Sequence, residues 1–296
     1  MERGRDHKAA AAIATLAAVI ALGPGGGALA GSAGEFEYVV KPAQNAAGEQ
    51  DSITRKCPPG TKLAGGGVFG AGGYNEQQIN GIRPYDDGDA NGEPDDGWQA
   101  TVDNQTGGPL DVKVHAICTR ADFTYVETDQ TSVNSGQAAT ADAACPAGTH
   151  VASGGLYAGG GIDQQNLVQS YPIDSMSDSN TAPDDGWRGS SHNVSVGQRS
   201  FRVYAICGKG RYIYREKERT TTAGERLKLS ARCPAGSHAT GGGSDATGSH
   251  LSFHLNSSYP TDLKDDGNAP DDAWRVKGDE LSGGSRLVTT HVACKA

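Results

Sequence analysis

The chain has 296 residues, 36% of them hydrophobic and 6% aromatic, with 43 glycines and a formal net charge of −9. That length predicts two domains or three small ones. An acidic chain without a Lys/Arg-rich stretch repels nucleic-acid phosphates and anionic lipid, so neither is an expected partner.

Residues 1–30 read as an export signal. A polar, slightly basic start (Met1–Lys8) precedes an apolar run, Ala9–Leu22, and Gly-Pro then breaks it ahead of Ala28-Leu29-Ala30, the small residues of a cleavage site. Fourteen apolar residues are too few to cross ~30 Å of hydrocarbon, so no membrane insertion is expected. Secretion then places all six cysteines in an oxidising compartment.

The mature part reads as one unit written three times. Cys57, Cys145 and Cys233 recur at intervals of 88 and 88, and Cys118, Cys207 and Cys294 follow them by 61, 62 and 61 residues. The first cysteines open CPPGTKLAGGG, CPAGTHVASGG and CPAGSHATGGG; the second close VHAIC, VYAIC and HVAC; PDDGW, PDDGW and PDDAW lie between. Three marker groups in one order at one period define an internal repeat. The modules are 34–120, 121–209 and 210–296, each beginning on an aromatic segment at Phe36, Phe123 or Tyr212.

Within a module the hydrophobic period is two. Leu110, Val112, Val114, Ala116 and Cys118 share one face, as do Phe201, Val203, Ala205 and Cys207, and Val288, Thr290, Val292 and Cys294. That is a half-buried strand carrying the cysteine inward. Glycine and Asx clusters punctuate the remainder, so the expected fold is all-β: three tandem, small antiparallel β-sandwich-like modules, each with one internal disulfide. One cysteine pair per repeat implies Cys57–Cys118, Cys145–Cys207 and Cys233–Cys294. The short spacers also allow a second architecture, a single pseudo-threefold β-prism.

The Gly-Gly-Gly segments (65–67, 241–243, with Ser153-Gly154-Gly155 between) lack the lysine and helix of a phosphate loop, and are expected to let a bulky ring approach, that of the module's tryptophan. Trp98, Trp187 and Trp274, one per repeat, are expected to fill the core, with stacking on a sugar ring as the competing role. The Asp-rich loops are the metal candidates: Asp86, Asp87, Asp89 and Asn91, then Asp174, Asp178 and Asp184, then Asp262, Asp266 and Asp271. Asp87–Gly92 fits the start of a calcium loop, but position twelve is Trp98 and not a bidentate glutamate. Solvated acidic turns explain the same residues, so no cofactor is required and calcium is the one allowed. No catalytic residue is assigned. His115 and His291 share a repeat position with Tyr204, and His150 and His238 share one with Lys62. His250 and His254 stand too far apart on a strand for one metal.

The Cys-Pro-x-Gly…Gly-Gly-Gly…Gly-Trp…Ala-Ile-Cys signature resembles a module common in exported proteins of actinomycete-type bacteria, and C-terminal modules of some bacterial and phage surface fibres. The resemblance spans all three units, implies secretion and carries over no functional residue; the acidic loops before each tryptophan depart from it. The expected function is that of a secreted, non-enzymatic binding or surface-interaction protein, its ligand a glycan, cell-envelope component or protein met by three equivalent loop surfaces. The alternatives are a structural extracellular or coat protein, and a secreted hydrolase or enzyme inhibitor.

Overall fold

The computed structural model describes residues 30–296 apart from 34, 175–180, 249–252, 264–268 and 282. The expected export signal, except Ala30, lies outside the described residues. Every regular element described is a strand. A short β1 (Ala30–Ala33) precedes module 1: β2 (Phe36–Asn45), β3 (Gln50–Lys56), β4 (Lys62–Gly70), β5 (Gln77–Tyr85), β6 (Gly97–Asn104) and β7 (Leu110–Thr119). Module 2 holds β8 (Phe123–Glu127), β9 (Thr131–Val133), β10 (Ala138–Ala144), β11 (His150–Gly159), β12 (Gln165–Ile173), β13 (Gly186–Asn193) and β14 (Arg199–Gly208). Module 3 holds β15 (Tyr212–Thr221), β16 (Arg226–Arg232), β17 (His238–Ala246), β18 (Phe253–Thr261), β19 (Ala273–Glu280) and β20 (Arg286–Lys295).

The fold is all-β, with three modules and one disulfide in each: Cys57–Cys118, Cys145–Cys207 and Cys233–Cys294. A module is two half-sheets packed face to face, for example β2-β7-β4 against β3-β6-β5. Each half-sheet continues into a neighbouring module. Sheet 3/1 runs β1-β2-β7-β4-β18-β19-β16, sheet 1/2 runs β3-β6-β5-β11-β14-β8 with β9 also on β14, and sheet 2/3 runs β10-β13-β12-β17-β20-β15. The three modules therefore close into a ring, which is the prism arrangement, with each module keeping its own sandwich and staple. Each disulfide joins two sheets, because its first cysteine follows a strand of one (β3, β10 or β16) and its second lies on a strand of the other (β7, β14 or β20).

The ring closes through very few backbone pairs. Val68 meets Ser258, Ser170 meets Ser244, and Ile82 and Gly81 meet Leu156 and Tyr157. Three tyrosines at one repeat position reinforce it, each donating to a carbonyl of the preceding module around the ring: Tyr38 to Ala239 (2.8 Å), Tyr125 to Leu63 (2.6 Å) and Tyr214 to Val151 (2.7 Å).

The glycine triplets make this closure sterically feasible. A Cβ on the first would strike a neighbouring module, as at Gly65, 2.0 Å from the Thr240 carbonyl. The middle glycine lies on the module's tryptophan: a Cβ on Gly66, Gly154 or Gly242 would come within 2.4, 2.3 or 2.4 Å of the Trp98, Trp187 or Trp274 ring. The third faces the sheet junction, where a Cβ on Gly67, Gly155 or Gly243 would fall 2.3, 2.1 or 1.7 Å from the carbonyl oxygen of Ser258, Ile82 or Ser170.

All three tryptophans are wholly buried. Trp187 and Trp274 donate their indole N–H to Ser170 and Ser258, both at 2.8 Å, whereas Ile82 holds that repeat position in module 1 and the Trp98 indole nitrogen has no hydrogen-bond partner. Ser170→Ala or Ser258→Ala is therefore expected to orphan a buried donor and lower stability by about 1–3 kcal/mol in urea unfolding; an unchanged midpoint in both would contradict this bond's role.

Candidate functional site

The PDD segments serve first as struts. The Asp96, Asp185 and Asp272 carbonyls accept from the Cys57, Cys145 and Cys233 N–H groups, each at 2.8 Å, and the Asp95, Asp184 and Asp271 carbonyls accept from Leu63, Val151 and Ala239. The side chains of Asp184 and Asp271 are buried against His150 and His238, 2.6 Å away in both modules. Lys62 takes the same place beside Asp95, at 3.9 Å. A lysine stands where the other two repeats hold a histidine, so the position keeps a side chain able to hydrogen-bond the aspartate, and it occupies two of the metal candidates.

In module 1, Asp86, Asp89 and Asp96 converge so that one carboxylate oxygen of each lies within 4.8 Å of the others. Asp87 pairs instead with Lys56. Asp86 accepts from the Gly88 N–H at 2.7 Å, Asp89 from Asn91 at 2.9 Å, and Asn91 from Glu93 at 2.6 Å, the local bonds that make Asp and Asn good turn residues. Asp174 and Asp262 keep the repeat position of Asp86, and both have partners. Asp178 and Asp266, like His250, lie outside the described residues. The three tryptophans fill the core as expected, and the competing role is the one that fails: Trp98, Trp187 and Trp274 expose no surface on which a sugar could stack.

The side chains that do meet at the surface lie on the outer faces of the shared sheets. Three repeat positions meet on the outer face of each shared sheet, where two modules adjoin, and the three faces are termed grooves 1/2, 2/3 and 3/1. In groove 1/2 these are Arg83, Tyr157 and Tyr204; in groove 2/3, Tyr171, Asp245 and His291; in groove 3/1, Tyr259, Phe69 and His115. Arg83 lies over the Tyr157 ring at 4.0 Å, Tyr171 stacks on His291 at 5.1 Å, and Tyr259 stacks on His115 at 5.7 Å with Phe69 edge-on at 5.4 Å. One architecture therefore carries three chemistries.

Groove 1/2 contains a cavity of about 250 Å³ bordered by Arg83, Tyr157, Tyr204, Arg202, Glu127 and Gln130. Arg83 is held by two bonds to the Gln99 amide oxygen (3.1 and 2.8 Å), Arg202 pairs with Glu127, and Gln130 donates to Ser200 at 2.6 Å. Groove 2/3 is acidic: His291 sits between Asp245 (2.8 Å) and Glu216 (3.2 Å), with the Arg188–Asp142 ion pair alongside. Burial alone would depress the His291 pKa, but its hydrogen bonds to Asp245 and Glu216 outweigh this and raise it.

His115 and His254 behave oppositely. Burial, aided by Lys113, pushes His115 down to about 3, and burial with His192 nearby pushes His254 to about 4. Between these values and the ordinary ~6.5 the unfolded chain binds more protons, so their contribution is complete above ~6.5 and lost as pH falls. His291 contributes fully below ~6.5 and loses its contribution as pH rises through its raised value. By pH 5 each of the first two is expected to withdraw about 2 kcal/mol. Urea midpoints measured from pH 7 to 5 check this, and His115→Tyr, which copies Tyr204, should flatten the acid limb; an identical limb would contradict the assignment.

No protein-family model matches this chain, and no curated protein matches it.

Proposed function

We propose that this is an exported, non-enzymatic binding protein that holds a glycan or other cell-envelope ligand in groove 1/2. One observation carries the reading: the cavity there combines the part-exposed Tyr157 ring with Arg83, Arg202, Glu127 and Gln130, an aromatic surface beside groups that hydrogen-bond in pairs, over the buried Tyr204. Rings supply apolar contact to a sugar face, and forked donors and acceptors suit vicinal hydroxyls. A volume near 250 Å³ suits one or two sugar units at a time, below the range of drug-sized ligand sites. Binding through grooves replaces the expected binding through equivalent loops. The three disulfides suit the oxidising environment that this role requires.

The test is binding to an array of envelope polysaccharides by the wild type, Tyr157→Ala and Arg83→Ala. The expected result is saturable binding by the wild type that each variant weakens at least tenfold. Absence of binding to every polysaccharide, or equal binding by all three proteins, contradicts the reading.

Calcium is not needed for this reading. Three carboxylates at Asp86, Asp89 and Asp96 fall short of the six to eight oxygens calcium takes, and turn N–H groups already engage Asp86, Asp89 and Asp96. Millimolar calcium or a chelator is expected to leave array binding unchanged.

A further inference from the structure

Groove 3/1 departs from the repeat in one direction, toward positive charge. On the outer face of each module's β3-β6-type half-sheet, two cross-strand positions face each other. In module 1 they are Ser52 and Thr101, hydrogen-bonded at 2.8 Å; in module 2 they are Thr140 and Ser190, at 2.7 Å. In module 3 they are Lys228 and Lys277, two like charges directly opposite each other. The adjacent position shows the same bias. Arg188 of module 2 is neutralised by Asp142 through two short bonds, while its counterpart Arg275 faces Ser230 and donates to that hydroxyl at 2.9 Å. From module 1, Lys113 approaches the Phe69 ring at 5.9 Å, and Lys277 of module 3 lies over that ring at 3.9 Å.

Like charges opposite one another on a sheet are destabilising, and a neutral hydroxyl pair serves this position in two modules. Among the described residues no carboxylate is ion-paired with Lys113, Lys228, Arg275 or Lys277; Arg226, next in line, lies 3.7 Å from the buried Asp279. Among the described residues the chain therefore concentrates cations without a carboxylate partner on one groove of an otherwise acidic molecule. The linear sequence hides this, because the residues come from β7, β16 and β19.

We propose that groove 3/1 is a binding site for an anionic polysaccharide, whose carboxylate or sulfate groups bridge Lys113, Lys228, Arg275 and Lys277 while its sugar rings lie against Phe69 and Tyr259. Neighbouring strands stand about 4.8 Å apart and same-face side chains recur about every 6.8 Å, so the cations form a short ladder suited to a charged polymer. The acidic groove 2/3 and the net charge of −9 disfavour broad polyanions such as duplex DNA or an anionic bilayer, whereas a single slim chain meets only the basic groove. Burial first, then Arg226, Lys228 and Arg275, depresses the Lys277 pKa to about 8, and its ammonium donates to the Gly70 carbonyl at 3.4 Å. This site is distinct from groove 1/2, and variants of each groove separate the two.

The experiment uses the full chain with polygalacturonate and dextran sulfate as probes, and neutral dextran, a single-stranded oligonucleotide and phosphatidylglycerol vesicles as comparators. The variant Lys228→Ser with Lys277→Thr restores the hydroxyl pair of module 1. It is expected to raise the urea midpoint and to weaken binding of the retained polymer at least tenfold, so lost binding cannot come from lost folding. Arg188→Gln in groove 2/3 and Tyr157→Ala in groove 1/2 are expected to leave that affinity within twofold. Preference for polygalacturonate assigns a carboxylate ligand, and preference for dextran sulfate a sulfate one. Wild-type affinity in the double-lysine variant overturns the site, as does tighter binding of the oligonucleotide or the vesicles than of either polymer.

Discussion

Gly243→Ala is expected to cost more than about 4 kcal/mol, most of the stability of an ordinary domain. The added methyl would lie 1.7 Å from the Ser170 carbonyl oxygen, a backbone atom that cannot rotate away, and 2.8 Å from its carbon. Only separation of β12 from β17 relieves that overlap. Those strands meet at Ser170 and Ser244, the junction of sheet 2/3, so the substitution opens the ring at one of its three seams. Alanine at Gly107 or Gly197, where a Cβ would meet nothing within 4 Å, is expected to stay within about 0.5 kcal/mol of wild type. Urea unfolding of the three variants measures the contrast. A Gly243→Ala protein with the wild-type midpoint would show that the seam is not closed as described.

Removal of one staple is the second large effect. Cys145→Ala with Cys207→Ala frees a loop of separation 62 in the unfolded chain, which the chain-entropy treatment values at roughly 4 kcal/mol. The bridge joins the end of β10, in sheet 2/3, to β14, in sheet 1/2. Its loss should therefore loosen both sheets of module 2 together, giving one cooperative transition at a lower urea midpoint rather than a separate early phase for module 2. An unfolding free energy within about 0.5 kcal/mol of wild type, or a first transition confined to one module, would contradict this coupling.

How much could be read in advance depended on whether a feature was repeated. The half-buried strands ending at Cys118, Cys207 and Cys294, the disulfide pairs and the approach of Gly66, Gly154 and Gly242 to a tryptophan are written three times, and the period exposes them. Ring closure was less legible, because sheet 3/1 is joined across modules by a single backbone pair, Val68 with Ser258, and neither residue advertises it. The tyrosine latches show the same limit. Tyr38, Tyr125 and Tyr214 recur plainly, but only the fold reveals that each hydroxyl reaches another module. The grooves were hidden for the opposite reason. Positions 69, 157 and 245 hold Phe, Tyr and Asp, and positions 115, 204 and 291 hold His, Tyr and His, so no common residue marks their shared place on one sheet face. The Asp loops drew attention because Asp, Asn and Gly cluster there, yet most of their described side chains cap turns or pair with Lys56, His150 and His238.

Cross-linking of the folded monomer by a short amine-reactive reagent, followed by peptide mapping, addresses ring closure most directly. Lys113 of the first module and Lys277 of the third both stand at the Phe69 ring, so a Lys113–Lys277 link is expected in monomeric protein and should vanish in urea. Modules standing in a row, with the first and third apart, would give only links within a module or between successive ones, and that pattern would contradict the closed ring.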